Sequence, residues 1–137
     1  MNINAIELSN YPTMSELKEF MAQGSKESAD LWIAHDKFDM LMWGSVVLAV
    51  REGVYDLTIA SSTRPKTYEH TRYMLQCLVK LCGGFVTLRT RGMAMQAVRL
   101  LESSGHKIVE NKSEALFVGK VKVFTNNITI KAPDEQH

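Results

Sequence analysis

The pattern that most restricts what this chain can become is residues 72–110, RYMLQCLVKLCGGFVTLRTRGMAMQAVRLLESSGHKIVE, which read as helix, strand, helix, strand. Met74, Leu78 and Leu81 recur at i, i+4 and i+7, and Leu75, Cys77, Val79 and Cys82 widen that stripe. Such spacing predicts a helix laid on a broad apolar surface. Gly83-Gly84 stops it, because glycine enters the left-handed cap conformation without a Cβ clash. Phe85-Val86-Thr87-Leu88 is β-prone and has almost no polar face, as a strand covered on both sides would be. A second amphipathic helix follows, with Met93, Ala97, Leu100 and Leu101 on one side and Gln96, Arg99 and Glu102 on the other. Ser103-Ser104-Gly105 closes it, and residues 106–109 resume an extended pattern.

The rest of the chain reads as the sheet on which this unit docks. Residues 3–8 alternate apolar and polar and predict an opening strand. Thr13 and Glu16 have the spacing of a capping box, which opens a helix through Leu17, Phe20 and Met21 to Gly24. Residues 25–34 predict a second, short helix. Three strands follow at 38–43, 46–50 and 54–60, joined by Gly44-Ser45 and Arg51-Glu52-Gly53, turns short enough for an antiparallel meander. A polar loop over residues 61–66 feeds the long helix, and residues 115–124 and 127–131 are strands again. A strand, a helix and a second strand make a crossover unit, so residues 55–60 and 85–88 are expected to run parallel. With 137 residues, 45% of them hydrophobic, the chain has enough core for one soluble domain. That domain is assigned to residues 1–131, followed by a disordered tail at 132–137. The fold class is α/β in the broad sense, more strictly α+β: a mixed, mostly antiparallel sheet of about 6–7 strands with one parallel pair and about 4 helices.

Charge is distributed unevenly along the chain. Residues 1–60 carry 4 basic and 9 acidic side chains, whereas residues 61–107 carry 8 and 2. The middle of the chain is therefore the part that attracts phosphate or another anion. Cys77 and Cys82 are about 140° apart around one predicted helix, so they do not pair with each other. Free thiols and the lack of a secretory signal point to a reducing cytosol. The apolar run at residues 40–50 is interrupted by Gly44-Ser45 and is far short of a membrane span. His35, His70, His106 and His137 show no ligand spacing, and neither a nucleophile elbow nor a Walker loop is present, so no metal site is expected.

The order β, α, α, β, β, β, α, β, α, β, β, with a Gly105-His106 step after the last helix, resembles the GNAT superfamily of acyl-CoA N-acyltransferases, including its short phage-encoded members. The likeness covers nearly the whole chain and is one of element order and length. It implies a coenzyme A site in the loop after the fourth strand, where the family carries Arg/Gln-x-x-Gly-x-Gly/Ala with amides aimed at the pyrophosphate. The matching residues here are Arg64-Pro65-Lys66-Thr67-Tyr68-Glu69, so Arg64, Lys66, Thr67, Tyr68 and Arg72 are the implied cofactor-binding residues. Arg64 fits the pattern, while Thr67 and Glu69 replace the glycines and Pro65 removes an amide. Counting back from Gly105 puts Ala94 where the family often has Asn and Leu101 where it has a proton-donating Tyr. Neither side chain gives a proton. Candidate bases are Asp56, Glu69 and His70.

Three functions follow. The first in rank is a binding or assembly protein that keeps the fold and has lost the chemistry, with a protein partner or a second copy, in the cytoplasm or in a virion. The second is an acyltransferase moving an acetyl group from acetyl-CoA to a small amine, which needs little beyond well-placed reactants. The third is a nucleic-acid-binding module that uses the basic middle region with Tyr68 and Tyr73 as stacking platforms. The apolar strands at residues 40–50 and 115–124 are the segments expected to pair across an oligomer.

Overall fold

The structure, a computed structural model, describes residues 11–34, 39–51, 53–59, 65–91 and 93–133. Thr13 opens helix α1 (Met14–Gly24) by the expected reciprocal bonds: Glu16 N–H donates to Thr13 Oγ1 at 3.1 Å, and Thr13 N–H donates to Glu16 Oε1 at 3.4 Å. Asp39 adds an acceptor to the same helix end, taking Met14 N–H at 2.8 Å, where a carboxylate also meets the positive end of the helix dipole.

Residues 25–34 are not the expected helix. Only Glu27–Asp30 closes, as a single 3-10 turn, and Trp32–Ala34 is strand β1. The reason is tertiary: β-prone Trp32 and Ile33 find partners in Met42 and Leu41. Three more strands follow, β2 (Asp39–Trp43), β3 (Val46–Arg51) and β4 (Val54–Ile59), and they form the antiparallel meander. Helix α2 (Pro65–Leu81) starts earlier than the polar loop reading has it, because Pro65 suits a first helical position. β5 (Phe85–Arg91) lies parallel to β4, with Tyr55 beside Leu88 and Thr58 beside Arg91.

The second amphipathic helix is shorter than its pattern. Helix α3 is Ala94–Arg99, followed by a 3-10 turn at Glu102–Ser104. Its buried stripe is Ala94, Ala97, Val98 and then Leu101, while Met93 and Leu100 are exposed. Two long strands end the described chain, β6 (Lys107–Val118) and β7 (Val121–Lys131). The expected single strand at 115–124 is thus broken in two: Gly119, with φ +65°, and Lys120 form a two-residue turn that pairs Val118 with Val121. The result is an α+β fold with one mixed open sheet in the order β1-β2-β3-β4-β5-β7-β6. Its described part holds seven strands and three α-helices rather than four. The predicted strand at residues 3–8 lies outside the described residues.

α1 touches α2, and α2 touches α3, so the three helices cover one face of the sheet. That face supplies Leu41, Leu48, Tyr55, Leu57, Leu88, Ile128 and Ile130 to a single core with Met14, Leu17, Met74 and Leu78. Among the described residues, helices cover β5 on one side only, with Phe85 exposed and its inward residues Val86, Leu88 and Thr90 buried. Ala132, assigned to the tail, is half-buried, and its N–H donates to Gly84 O at 2.8 Å.

Candidate functional site

Two of the three candidate bases lie on opposite faces of the sheet. Residue alternation decides this, since Trp43 pairs with Val46 and Val46 with Ile59, three positions from Asp56. On the helix face, His70 stacks on Trp43 with ring centroids 3.7 Å apart and planes 7° apart. Its Nε2 lies 3.4 Å from Glu27 Oε2, and the ammonium of Lys66 lies 3.7 Å from the same oxygen. Glu69, one turn from Lys66 along α2, is exposed. Tyr68 donates its hydroxyl to Gln96 Oε1 at 3.1 Å and so ties the start of α2 to α3. The carbonyl of Thr67 accepts the hydroxyl of Thr71 at 2.8 Å, and Arg72 is half-buried. Arg64 lies outside the described residues.

On the other face, Asp56 is 2% exposed. Its Oδ2 accepts from Arg89 Nε at 3.0 Å and lies 3.1 Å from a terminal nitrogen of Arg91, and its Oδ1 accepts Thr58 Oγ1 at 3.4 Å. The parallel register places Asp56 beside Arg89 and Thr58 beside Arg91, so the cluster is a direct product of the β4–β5 pairing. A carboxylate held this way ties β4 to β5 and has both oxygens engaged by neighbouring side chains. The signal was available in the sequence: Arg89 and Arg91, two apart on one strand, share a face, and that face is set by the crossover.

The residues implied by the GNAT likeness do not fit a pyrophosphate cradle. In the first turn of α2, Thr67 and Glu69 put side chains where backbone must approach an anion. The Lys66 ammonium is engaged with Glu27. A groove of about 830 Å³ lies instead at the opposite end of α2, bounded by Phe20, Tyr73, Cys77, Gly84, His106 and Pro133. Burial pushes the Cys77 thiol above its ordinary value, with Tyr73 and Lys80 opposing. Burial pushes Cys82 up to about 11. Neither thiol is therefore a ready nucleophile. The imidazole of His106 is held below its ordinary value by burial, with the backbone of Ser104 opposing. Among the described residues, no three His, Cys, Asp or Glu side chains converge as a metal site, and no helix is long and apolar enough to cross a membrane.

The feature with the least internal explanation is the outer end of the β6/β7 hairpin. β7 pairs with β5 only from Thr125 onward. Among the described residues, 115–118 and 121–124 pair only with each other, and so extend roughly 14 Å past the end of β5 at about 3.4 Å per residue. The pairing puts Phe117 and Phe124 on one face and Val118 and Val121 on the other. Phe117, Val118, Val121 and Phe124 are 72%, 62%, 64% and 65% exposed. Lys122 sits 5.3 Å from the centre of the Phe124 ring. Sequence reasoning located the apolar segment but missed the turn, whose signal was Gly119-Lys120 between Val118 and Val121.

Compared with protein-family models, characterised proteins and solved structures, the chain matches none.

Proposed function

We propose that this chain is a GNAT-like protein whose work is binding and assembly rather than acyl transfer. The projecting hairpin carries the reading. An arm that leaves two phenylalanines and two valines mostly in water gains little for its own fold, and contiguous apolar surface of that kind marks a protein-binding site. The locked Asp56, the separate placing of His70, and Thr67 and Glu69 in place of glycines all support loss of the coenzyme A chemistry. A photo-reactive residue placed at position 117 is expected to give one discrete covalent adduct of protein mass under native conditions. The absence of any adduct would remove the reading.

A second reading, an active acyl-CoA N-acyltransferase, is favoured by one observation: β4 and β5 are parallel and joined through α2, the crossover that the family likeness implies. Thermal unfolding with acetyl-CoA separates the two. The assembly reading expects an unchanged midpoint, whereas a saturable rise of several degrees would favour the enzyme.

A further inference from the structure

We propose that the partner of the hairpin is a second copy of this chain, docked edge to edge along β6, antiparallel, about a twofold axis through Ser113. The proposal rests on the assembly reading above and names its occupant. Among the described residues β6 is the last strand of the sheet, so its outward amides and carbonyls offer a template for another strand. A twofold axis normal to the sheet keeps each copy's helix face on the same side. Only residues of like parity then meet, which reduces the possible registers to a few.

Charge selects among them. With the axis at Ser113, Lys112, whose ammonium lies 3.0 Å from Glu110 Oε1 of its own strand, comes opposite the second copy's Glu114 and is shared between the two carboxylates, twice by symmetry, while Asn111 lies opposite Ala115 and Glu110 opposite Leu116. No like charges face each other. Moving the axis to Lys112 sets Glu110 against Glu114, and moving it to Glu114 sets that carboxylate against its own copy. An axis at Asn111 keeps the charges matched but leaves Phe117 opposite Gly105, before β6 begins. At Ser113, Phe117 instead comes beside the second copy's Val109, itself 53% exposed, at the irregularity between Ile108 and Glu110. The apolar arm of each molecule thus runs along the part of β6 that is backed by β7 and β5 in the other. The two sheets become one.

Sedimentation equilibrium on the whole chain tests this. The wild type is expected to be a dimer. Lys112→Glu or Glu114→Lys alone replaces two attractions by two repulsions and is expected to weaken the dimer about tenfold. The combined exchange Lys112→Glu, Glu114→Lys is expected to restore it. Both substituted positions are exposed, and far-ultraviolet circular dichroism checks that the fold is kept in all three variants. A monomeric wild type, a dimer indifferent to either single change, or a combined exchange that fails to recover would each overturn the proposal. If the wild type is monomeric while position 117 still couples to a different protein, the second copy is excluded and the assembly reading stands. Without either, both fall.

Discussion

The centre of the sheet and the outer half of the hairpin contain much the same kinds of residue and use them in opposite ways. In β4 and β5, Tyr55, Leu57 and Leu88 face the helices and are fully buried, and the alternate face carries the Asp56, Arg89 and Arg91 cluster. In the tip of β6 and β7, apolar residues occupy both faces and, among the described residues, no helix covers either. Strand formation needs only β-prone residues and a turn, whereas burial needs a second layer. The core has that layer in α1, α2 and α3, and the tip has none of its own, so its apolar atoms are available to something else.

This contrast predicts a steep difference in mutational cost. Leu88→Ala or Leu57→Ala is expected to lose about 2–5 kcal/mol in urea unfolding, while Phe117→Ser is expected to change monomer stability by no more than about 0.5 kcal/mol. Equal costs would mean that the tip is packed after all. Next in size is Asp56→Ala, which leaves Arg89 and Arg91 facing each other without their shared carboxylate. Both arginines retain some water, so the expected loss is about 2 kcal/mol, below the range for a fully buried pair. Replacing Arg89 as well is expected to recover part of that loss, and a strictly additive double variant would argue against the cluster. Thr13→Ala, which removes one half of the capping box of α1, is expected to cost about 1 kcal/mol.

The smallest effect concerns His106, at the base of the hairpin just before β6. Burial depresses its proton affinity in the folded chain. As pH falls through the ordinary imidazole value of 6.5, the unfolded chain takes up a proton that the folded chain resists, so stability declines on the acid side and is unaffected above that value. His106→Gln is expected to flatten the acid slope measured by thermal unfolding, and an unchanged slope would assign it to other groups.

Local and medium-range chemistry made parts of this architecture readable in advance. Thr13 with Glu16 declares a helix start within four residues, and the apolar stripe of residues 74–82 declares a packed face. The parallel pairing of β4 with β5 followed from the helix between them. Other features depend on neighbours that no local pattern contains. Trp32 and Ile33 carry no intrinsic sign that β2 will pair with them, so a helix was the natural expectation. Asp56 reads as a surface residue until the register brings two arginines beside it. The stack of His70 on Trp43 joins residues 27 apart in the chain through packing of α2 on the sheet. The apolar character of residues 115–124 states that a strand forms and is silent about whether anything covers it.

Strand β7 belongs to both halves of this contrast. Its later residues, Ile128 and Ile130, sit in the core, and its earlier residues form the tip. Gly105, with φ +87° and a would-be Cβ 3.3 Å from Pro133, fixes the start of β6 against the end of β7. The hairpin is therefore a lever clamped at its base, and a load applied to its outer end is passed along β7 into the middle of the hydrophobic layer. Whatever grips the far end of this arm also tugs on the residues that keep the molecule folded.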